Sequence, residues 1–329
     1  MQHFLYKYTK LREDFFVDPF IRATQVESLN DPFEVKVTLQ QIIKARMASN
    51  TFHGTEEEFD QENFEYMMDE FLGISQQDLS EIGIISLTED PVNTLMWSHY
   101  ADEHRGIAVQ FRSNGSFFDG AIEGSGGTRK KYPEDYSGLV NETPQVIAYR
   151  KNRPQFDFIE EVVAKERGDY PHKKFNQQLI YTKANDWIYE KERRSVVYLY
   201  DADRVVCDAS GDIVEICKKN NIEHTVENLR IEINYPTNFG YSLDVLDVLD
   251  VSDEIYDQNE IKREVYRLSR NRNAFYFFKL SKDMIPAIVF GCNVDRQAVE
   301  NIKKKLTWNP DLYITKVSDS TFELEVEKL

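Results

Sequence analysis

Short apolar runs rich in aromatic and β-branched residues recur along the chain and predict strands. The first is His3–Tyr8 (HFLYKY), while Ile82–Thr88 (IGIISLT) and Gly106–Phe111 (GIAVQF) are apolar enough to be central. This pattern gives about nine strands. The remaining predicted strands are Pro144–Tyr149, one within Trp187–Tyr200, Phe275–Leu280, Ile288–Gly291, Leu312–Val317 and Thr321–Val326.

Helices are predicted between these strands. Residues 38–49 and 156–182 read as helical, and apolar side chains at helical spacing predict another helix in the acidic stretch 56–70. Pro91 begins a short helix, and Asp295 caps one that runs to about residue 306. Because strands and helices do not alternate and several strands are adjacent, the expected fold is α+β, with a mixed or antiparallel central sheet, flanking helices and an inserted subdomain.

Two segments depart from this pattern. Residues 113–140 are rich in Gly, Ser and Pro and predict a long loop. Residues 201–284 are polar and mixed, and they contain the repeat LDVLDVLDV, whose period of three fits neither a helix nor a strand. The predicted division is therefore a core of residues 1–200 and 285–329 with an insertion over residues 201–284.

Composition and charge narrow the class of protein. The formal net charge is -17 over 329 residues, so most of the surface repels nucleic-acid phosphate. Three cysteines without CxxC spacing predict neither a disulfide framework nor a structural zinc site. The N-terminus lacks an apolar signal segment, and no run approaches the roughly 20 apolar residues of a membrane span. We expect a cytoplasmic protein with no membrane partner.

The densest group of polar and aromatic side chains lies between two predicted central strands, in SLTED and LMWSHYADEHRGIAVQF. Stacking aromatics, a guanidinium and imidazoles are what a pocket for a planar, anionic ligand needs. The alternative is that the aromatics belong to the core and the histidines are packing residues. The candidate ligand-binding residues of this group are Ser86, Trp97, His99, Tyr100 and Arg105.

Glu190 and Glu192 are two residues apart at the entry to a predicted strand, in the block KANDWIYEKERR. An extended segment would place both carboxylates on one face. There they would raise each other's pKa or bind hydroxyl groups. The alternative is a salt-bridged strand start, with the neighbouring lysine and arginines as partners. Lys183, at the start of the block, is a further candidate ligand-binding residue.

Asn30 and Asp31 lie in the turn LNDPFE and are candidate ligand-binding residues. The turn either lines a pocket or only shapes the chain as an Asx-turn, and both interpretations stay open. Metal chemistry has little support, because His99 and His104 are five residues apart and form no HExxH arrangement. The sequence also lacks a phosphate-binding loop of the Walker or GxGxxG type. We therefore predict no metal site.

Several blocks together resemble the bacterial family of domain of unknown function 2971. They are FLYKYTKL, LNDPFE, SLTED with LMWSHYADEHRGIAVQF, KANDWIYEKERR and the tail PAIVFGCNVDRQAVENIKKKL. These blocks span most of residues 3–200 and 285–327. Residues 201–284 contain no such block, which is the reason for treating them as an insertion. The family has no established activity, so the resemblance implies no substrate.

A second resemblance is to the ADP-ribosyltransferase fold. Ser86–Thr88 (SLT) is similar to the Ser-Thr-Ser strand of those enzymes, and Glu190–Glu192 (EKE) to their Glu-x-Glu strand end. The Arg or His of their first strand is absent from LYKYT, where Tyr8 or Lys7 would stand in. This resemblance implies NAD as a substrate, with Glu190 and Glu192 as catalytic residues.

Three hypotheses for function follow. The first is an enzyme that uses NAD, by ADP-ribosyl transfer or cleavage, as a phage-defence or stress effector. Glu192 would hold the ribose 2′-hydroxyl and stabilise an oxocarbenium-like state, Glu190 would orient the acceptor, and Trp97 or Tyr100 would stack on nicotinamide. The second is a non-catalytic ligand-binding or sensor module of a defence system, with a nucleotide-like ligand or a protein partner. The third is a nuclease, which the acidic surface disfavours.

Overall fold

A computed structural model describes residues 4–36, 72–112, 139–154, 171–236, 239 and 253–329. Several predicted features lie outside these residues. They are the helices at 38–49 and 56–70, most of the loop at 113–140, the first part of the helix at 156–182 and the LDV repeat at 243–251.

The described residues form fifteen strands, most of them in one large sheet. They are β1 (Phe4–Thr9), β2 (Phe20–Gln25), β3 (Ile82–Thr88), β4 (Ile107–Arg112), β5 (Asn141–Val146), β6 (Ala148–Arg150), β7 (Thr182–Ala184), β8 (Glu192–Tyr198), β9 (Arg204–Asp208), β10 (Glu223–Glu227), β11 (Arg230–Asn234), β12 (Phe275–Lys279), β13 (Ala287–Phe290), β14 (Asp311–Val317) and β15 (Leu324–Lys328).

The large sheet holds thirteen of these strands in the order β10-β11-β9-β12-β2-β3-β1-β4-β13-β14-β15, with β8 and β5 branching from β3. Neighbouring strands in this sheet are antiparallel, except β13 and β14, which are parallel to each other. β6 and β7 form a separate parallel pair. The α+β class with a mixed, largely antiparallel sheet is thereby confirmed.

Six α-helices accompany the strands in the described part of the chain. They are α1 (72–81), α2 (Thr94–Tyr100), α3 (Pro171–Ile180), α4 (Gly211–Lys219), α5 (Asp253–Ser269) and α6 (Arg296–Lys305). The predicted cap Asp295 is confirmed, since its side chain accepts a hydrogen bond from the Gln297 N–H. Asn93 caps α2 in the same way, accepting from two main-chain N–H groups. No described helix has the length and hydropathy needed to cross a membrane.

Hydrophobic clusters cover both faces of the central strands. Ile85 and Leu87 of β3 belong to the largest cluster, whereas Ile82 and Ile84 of the same strand belong to a second one. Side chains alternate between the faces of a strand, so β3 is buried on both sides. This explains why its sequence is a continuous apolar run.

The structure differs from the sequence prediction in several elements. Strands β2, β7, β9, β10 and β11 were not predicted, because each has at most six residues and its apolar pattern is interrupted by at least one charged residue. The strand predicted within Trp187–Tyr200 is β8, which begins at Glu192, whereas Asn185–Glu190 before it forms a 3-10 helix. The segment predicted as one strand at Pro144–Tyr149 is divided between β5 and β6.

Residues 201–284 supply one end of the large sheet. In the sheet, β12 lies next to β2, and β9, β11 and β10 follow it toward the edge. Tyr276 of β12 packs in the same hydrophobic cluster as Leu5. The origin of this segment as an insertion stays a prediction.

Candidate functional site

A gap between β1 and β2 opens over the middle of β3. β2 pairs with β3 at Gly83 and Ile84, whereas β1 pairs with it at Thr88. Ser86 lies between these two pairings. The Lys7 ammonium donates to the main-chain oxygen of Ser86 at 2.9 Å and so satisfies an acceptor that neither strand reaches. β8 pairs along the other edge of β3 and brings its first residues to the same place.

A cleft with a volume of about 230 Å³ lies over this gap. This volume is below the roughly 300–1,000 Å³ of most ligand pockets, so the cleft has room for one ring or sugar. We call it the glutamate cleft. Its lining residues are Tyr6, Lys7, Tyr8, Arg22, Thr24, Ser28, Leu29, Asn30, Glu34, Ser86, Leu87, Thr88, Met96, Tyr100, Lys183, Glu190, Glu192 and Arg194.

Five charged side chains form a buried network at the base of the cleft. Lys183 Nζ lies 2.6 Å from Glu190 Oε2 and 3.1 Å from Glu192 Oε2. Arg194 holds Glu192 with two bonds, of 2.8 and 3.0 Å, and also pairs with Glu34. No side chain of the five is more than 4% exposed. Burying such charges costs free energy unless each is paired, and here every one has an opposite charge beside it.

Tyr100 connects this network to the N-terminal turn. Its hydroxyl donates to Glu190 Oε1 at 2.7 Å and accepts from Asn30 Nδ2 at 2.9 Å. Asp31 is buried, and its Oδ1 accepts from the Phe33 N–H at 2.8 Å. Both interpretations of this turn therefore hold, because Asp31 forms an Asx-turn while Asn30 lines the cleft.

The backbone brings the two carboxylates together by a route that the sequence prediction did not foresee. Glu190 ends the 3-10 helix, Lys191 is left-handed at φ 45° and ψ 47°, and Glu192 begins β8. The segment is therefore not extended, which corrects the expected geometry. Thr88 Oγ1 donates to the Glu190 main-chain oxygen at 2.6 Å, and the Glu192 N–H donates to the Tyr149 hydroxyl at 2.8 Å. These bonds fix the turn that aims both carboxylates at Lys183.

Burial and charge shift the pKa values of the network. Burial raises the pKa of Glu192, and Lys183 opposes part of that shift. Burial disfavours the charged form of Lys183, but Glu192 and Glu190 outweigh it and raise its pKa. Burial lowers the pKa of Lys7 to about 8, with Glu192 opposing. Burial and the Glu190 charge raise the pKa of Tyr100, which keeps it a hydrogen-bond donor.

The structure brings together only part of the group predicted around α2. Tyr100 contacts Glu190, but Trp97 is fully buried behind Tyr8, with the ring centroids 5.0 Å apart, and does not line the cleft. His99 is exposed, with its ring centroid 6.5 Å from that of Tyr189.

Arg105 does not line the glutamate cleft. It is exposed and pairs with Asp102 and Glu103, each at 3.2 Å. It therefore does not lie with Tyr100, with which the sequence analysis had grouped it as a candidate ligand-binding residue.

Sequence reasoning missed part of the site. Lys7 was considered only as a stand-in and Arg194 only as a surface partner, while Arg22 and Met96 were not considered. A signal for Arg194 was present, because it shares the inward face of β8 with Val196, and a charged residue on a buried face needs a buried partner. Arg22 gave no such signal, since β2 itself was not predicted.

Groups that bind metal ions are not clustered in the part of the chain that the structure describes: no three His, Cys, Asp or Glu side chains come together there. The three cysteines are free. Burial raises the pKa of Cys207 and of Cys217 to about 11, so both thiols are protonated at neutral pH.

Comparison with known proteins identifies one family that part of the chain resembles. No curated protein matches the chain. A family model matches residues 96–195, which include Tyr100, Lys183, Glu190, Glu192 and Arg194. The match therefore covers most of the charged network, and it lends no support to the ADP-ribosyltransferase resemblance, which stays a prediction. Over residues 96–195 the chain is similar to the family described as protein of unknown function (DUF2971).

Proposed function

We propose that the chain binds a small, nucleotide-like ligand through the glutamate cleft, with a ribose hydroxyl bonded to Glu190. The observation that carries this proposal is the unequal use of the two carboxylates. A carboxylate has about four acceptor sites. Glu190 accepts two side-chain bonds, from Tyr100 and Lys183, whereas Glu192 accepts three, two from Arg194 and one from Lys183. Glu190 thus retains more acceptor capacity for a ligand.

The surroundings of Glu190 support binding because they are already in place. Tyr100 and Lys183 each hold one of its two oxygens, and Asn30 in turn fixes the Tyr100 hydroxyl, so little ordering is needed when a ligand arrives. The low dielectric of a buried site also strengthens any hydrogen bond formed there.

Aromatic side chains give the ligand's ring a surface to pack on. Tyr6 and Tyr8 line the cleft beside Met96. Tyr8 is itself fixed, because its hydroxyl donates to the Asp90 main-chain oxygen at 2.8 Å and its ring meets Trp97 edge to face. A cleft of about 230 Å³ accommodates a nicotinamide, or the ribose attached to it, rather than the whole of NAD.

Binding without turnover is the better supported form of this proposal. A carboxylate that stabilises a developing cation acts through its uncompensated negative charge. Both candidate carboxylates are paired with buried cations, and Glu192 with two of them. In this proposal Glu192 anchors Lys183 and Arg194, and Glu190 contacts the ligand.

Cleavage of NAD is a second candidate, favoured by the position of Glu190 in a cleft of nicotinamide size. The bond from nicotinamide to ribose C1′ would break with its electron pair leaving on neutral nicotinamide, and Glu190 would stabilise the cationic ribose that remains. Water or an acceptor hydroxyl would then attack C1′ and release its proton to solvent water. Following nicotinamide release from NAD tests this candidate. Release by the wild-type chain that is lost in Glu190→Gln would support it, and no release would leave binding alone.

A thermal-shift screen with NAD, ADP-ribose and adenine nucleotides tests the primary proposal. A ligand that binds only the folded state adds about 2.7 kcal/mol to the free energy of unfolding at a hundred times its Kd, and so raises the melting temperature. We expect a shift with ADP-ribose that Glu190→Gln reduces. Melting temperatures that no nucleotide changes would contradict the proposal.

A further inference from the structure

A second cleft, of about 250 Å³, adjoins the glutamate cleft and differs from it in charge. Four basic side chains line it, and its described lining contains no Asp or Glu. We call it the cationic cleft, defined by Lys7, Lys10, Arg12 and Arg22 together with Phe20 and Phe275. In a chain with a formal net charge of -17, such a concentration of positive charge is a local exception.

Arg22 is the least satisfied of these cations. Its guanidinium carbon lies 4.4 Å from the centre of the Phe275 ring, which fixes the side chain without neutralising it. Its Nε is buried and has no hydrogen-bond partner, and no ion pair to Arg22 occurs within the described ranges. This Nε is closed to solvent, so an anion in the cleft would bond the two terminal nitrogens of the guanidinium, to which no hydrogen bond occurs within the described ranges.

Lys7 and Arg22 line both clefts, so the clefts meet at these two side chains. The charges of Glu192, Glu190 and Lys183, which line the glutamate cleft, and of Arg22 all act on the pKa of Lys7. Its ammonium gives one hydrogen bond, to the Ser86 main-chain oxygen, and has two further donors. An anion placed between Lys7 and Arg22 would therefore contact both.

Acidic side chains near the cationic cleft do not neutralise it. Asp14 lies 3.9 Å from Arg12, at the limit of an ion pair, and both are exposed. Asp18 pairs instead with Arg204 and Lys279, which lie outside the lining.

We propose that the cationic cleft binds the phosphate groups of an organic phosphate whose ribose enters the glutamate cleft. Arginine binds phosphate oxygens through its planar fork of donors, and Lys7 adds a point charge. This inference rests on the proposed function and extends it, since neither cleft alone holds a dinucleotide and the two meet at the cation pair.

Calorimetric titration of the full chain with ADP-ribose, adenosine and inorganic pyrophosphate tests the inference. Arg22→Gln should weaken the binding of ADP-ribose and of pyrophosphate by about tenfold or more, because it removes hydrogen bonds to a charged group. Adenosine, which carries no phosphate, should bind equally well to both proteins. The matched control is Arg263→Gln, which removes another guanidinium stacked on an aromatic ring, 5.2 Å from the centre of Tyr200, outside both clefts.

The outcomes separate the inference from the function on which it rests. If Glu190→Gln loses ADP-ribose binding while Arg22→Gln behaves like the control, the phosphate site is overturned and the proposed function stands. If Arg22→Gln loses pyrophosphate while Glu190→Gln leaves ADP-ribose unaffected, the ribose contact is overturned and the phosphate site stands. A wild-type chain that binds neither phosphate compound overturns the inference. Should Arg22→Gln fail to fold, Arg12→Gln, at a more exposed position, should show a smaller weakening of the same kind.

Discussion

The two sides of helix α2 illustrate two ways of building a buried region. On one side Tyr100 joins the charged network of the glutamate cleft. On the other, Trp97 is fully buried, and its indole N–H donates to the Pro91 main-chain oxygen at 3.0 Å. We call this second side the Trp97 corner, defined by Trp97, His104, Gly106 and Gly291.

At the Trp97 corner, the backbone leaves no room for larger side chains. A Cβ on Gly291 would collide with the main-chain oxygen of His104, and one on Gly106 with that of Thr9. The Gly291 N–H donates to the Gly106 oxygen at 3.0 Å, so the backbones approach as closely as hydrogen bonding allows.

At the glutamate cleft, the stability of the fold depends on paired charges and not on close packing. The cleft retains an open volume, but its stability depends on each buried charge keeping its partner. Substitutions that change size should therefore act mainly at the Trp97 corner, and substitutions that change charge should act mainly at the cleft. Only the latter should alter ligand binding.

The largest effect is expected for Arg194→Met, which keeps much of the side-chain volume and removes the charge. Glu192 and Glu34 would be left buried without this partner, so the free energy of unfolding should fall by about 3–5 kcal/mol. Urea unfolding measures this. The neighbouring Arg193→Met breaks only a partly exposed pair with Glu89 and should cost less than about 1 kcal/mol. Equal losses in the two variants would contradict the importance of the buried network.

A smaller loss is expected for Trp97→Phe. The Pro91 oxygen would lose its donor and the corner would lose volume, so the free energy of unfolding should fall by about 1–3 kcal/mol. Binding of ADP-ribose should be nearly unchanged, since Trp97 does not line the cleft. A variant of normal stability that no longer binds would show that the two sides of α2 are not separate.

Lys7→Met should alter the pH dependence of stability. Burial lowers the pKa of Lys7 from 10.5 to about 8 in the folded state. Between these values the unfolded chain holds a proton that the folded chain has released, so stability from this group rises with pH and the cost of burial is fully present below about pH 8. The wild type should thus gain stability relative to Lys7→Met between about pH 8 and pH 10.5. A difference that is constant with pH would contradict the lowered pKa.

The smallest effect is expected for Arg105→Gln. Its ion pairs with Asp102 and Glu103 are exposed, and such pairs add little to stability. Neither the melting temperature nor the affinity for ADP-ribose should change. Weaker ligand binding in this variant would restore the pocket that the sequence pattern alone suggested for Arg105.

The sequence predicted the central strands well because their apolar runs are long. Ile82–Thr88 is correct in both bounds, and the predicted first strand differs from β1 by one residue at each end. Strands such as β10 (EHTVE) escaped prediction because an edge strand exposed on both faces carries no continuous apolar signal.

The candidate site was only partly predictable. Glu190, Tyr100 and Lys183 were selected as chemistry-bearing residues, but the contact between Tyr100 and Glu190 joins positions that lie 90 residues apart in the chain. Pairing of that kind follows from sheet register, and register cannot be read from local periodicity. The left-handed Lys191 was equally hidden, since nothing in EKE requires a turn there.

The most direct test of the account is calorimetric titration of ADP-ribose into the wild-type chain and into Glu190→Gln. The substitution preserves volume and removes the charge that accepts from Tyr100 and Lys183. We predict measurable binding by the wild type and an affinity lower by about tenfold or more in Glu190→Gln, with circular dichroism confirming that the variant is folded. A folded Glu190→Gln chain that binds ADP-ribose as tightly as the wild type would contradict the role of the glutamate cleft.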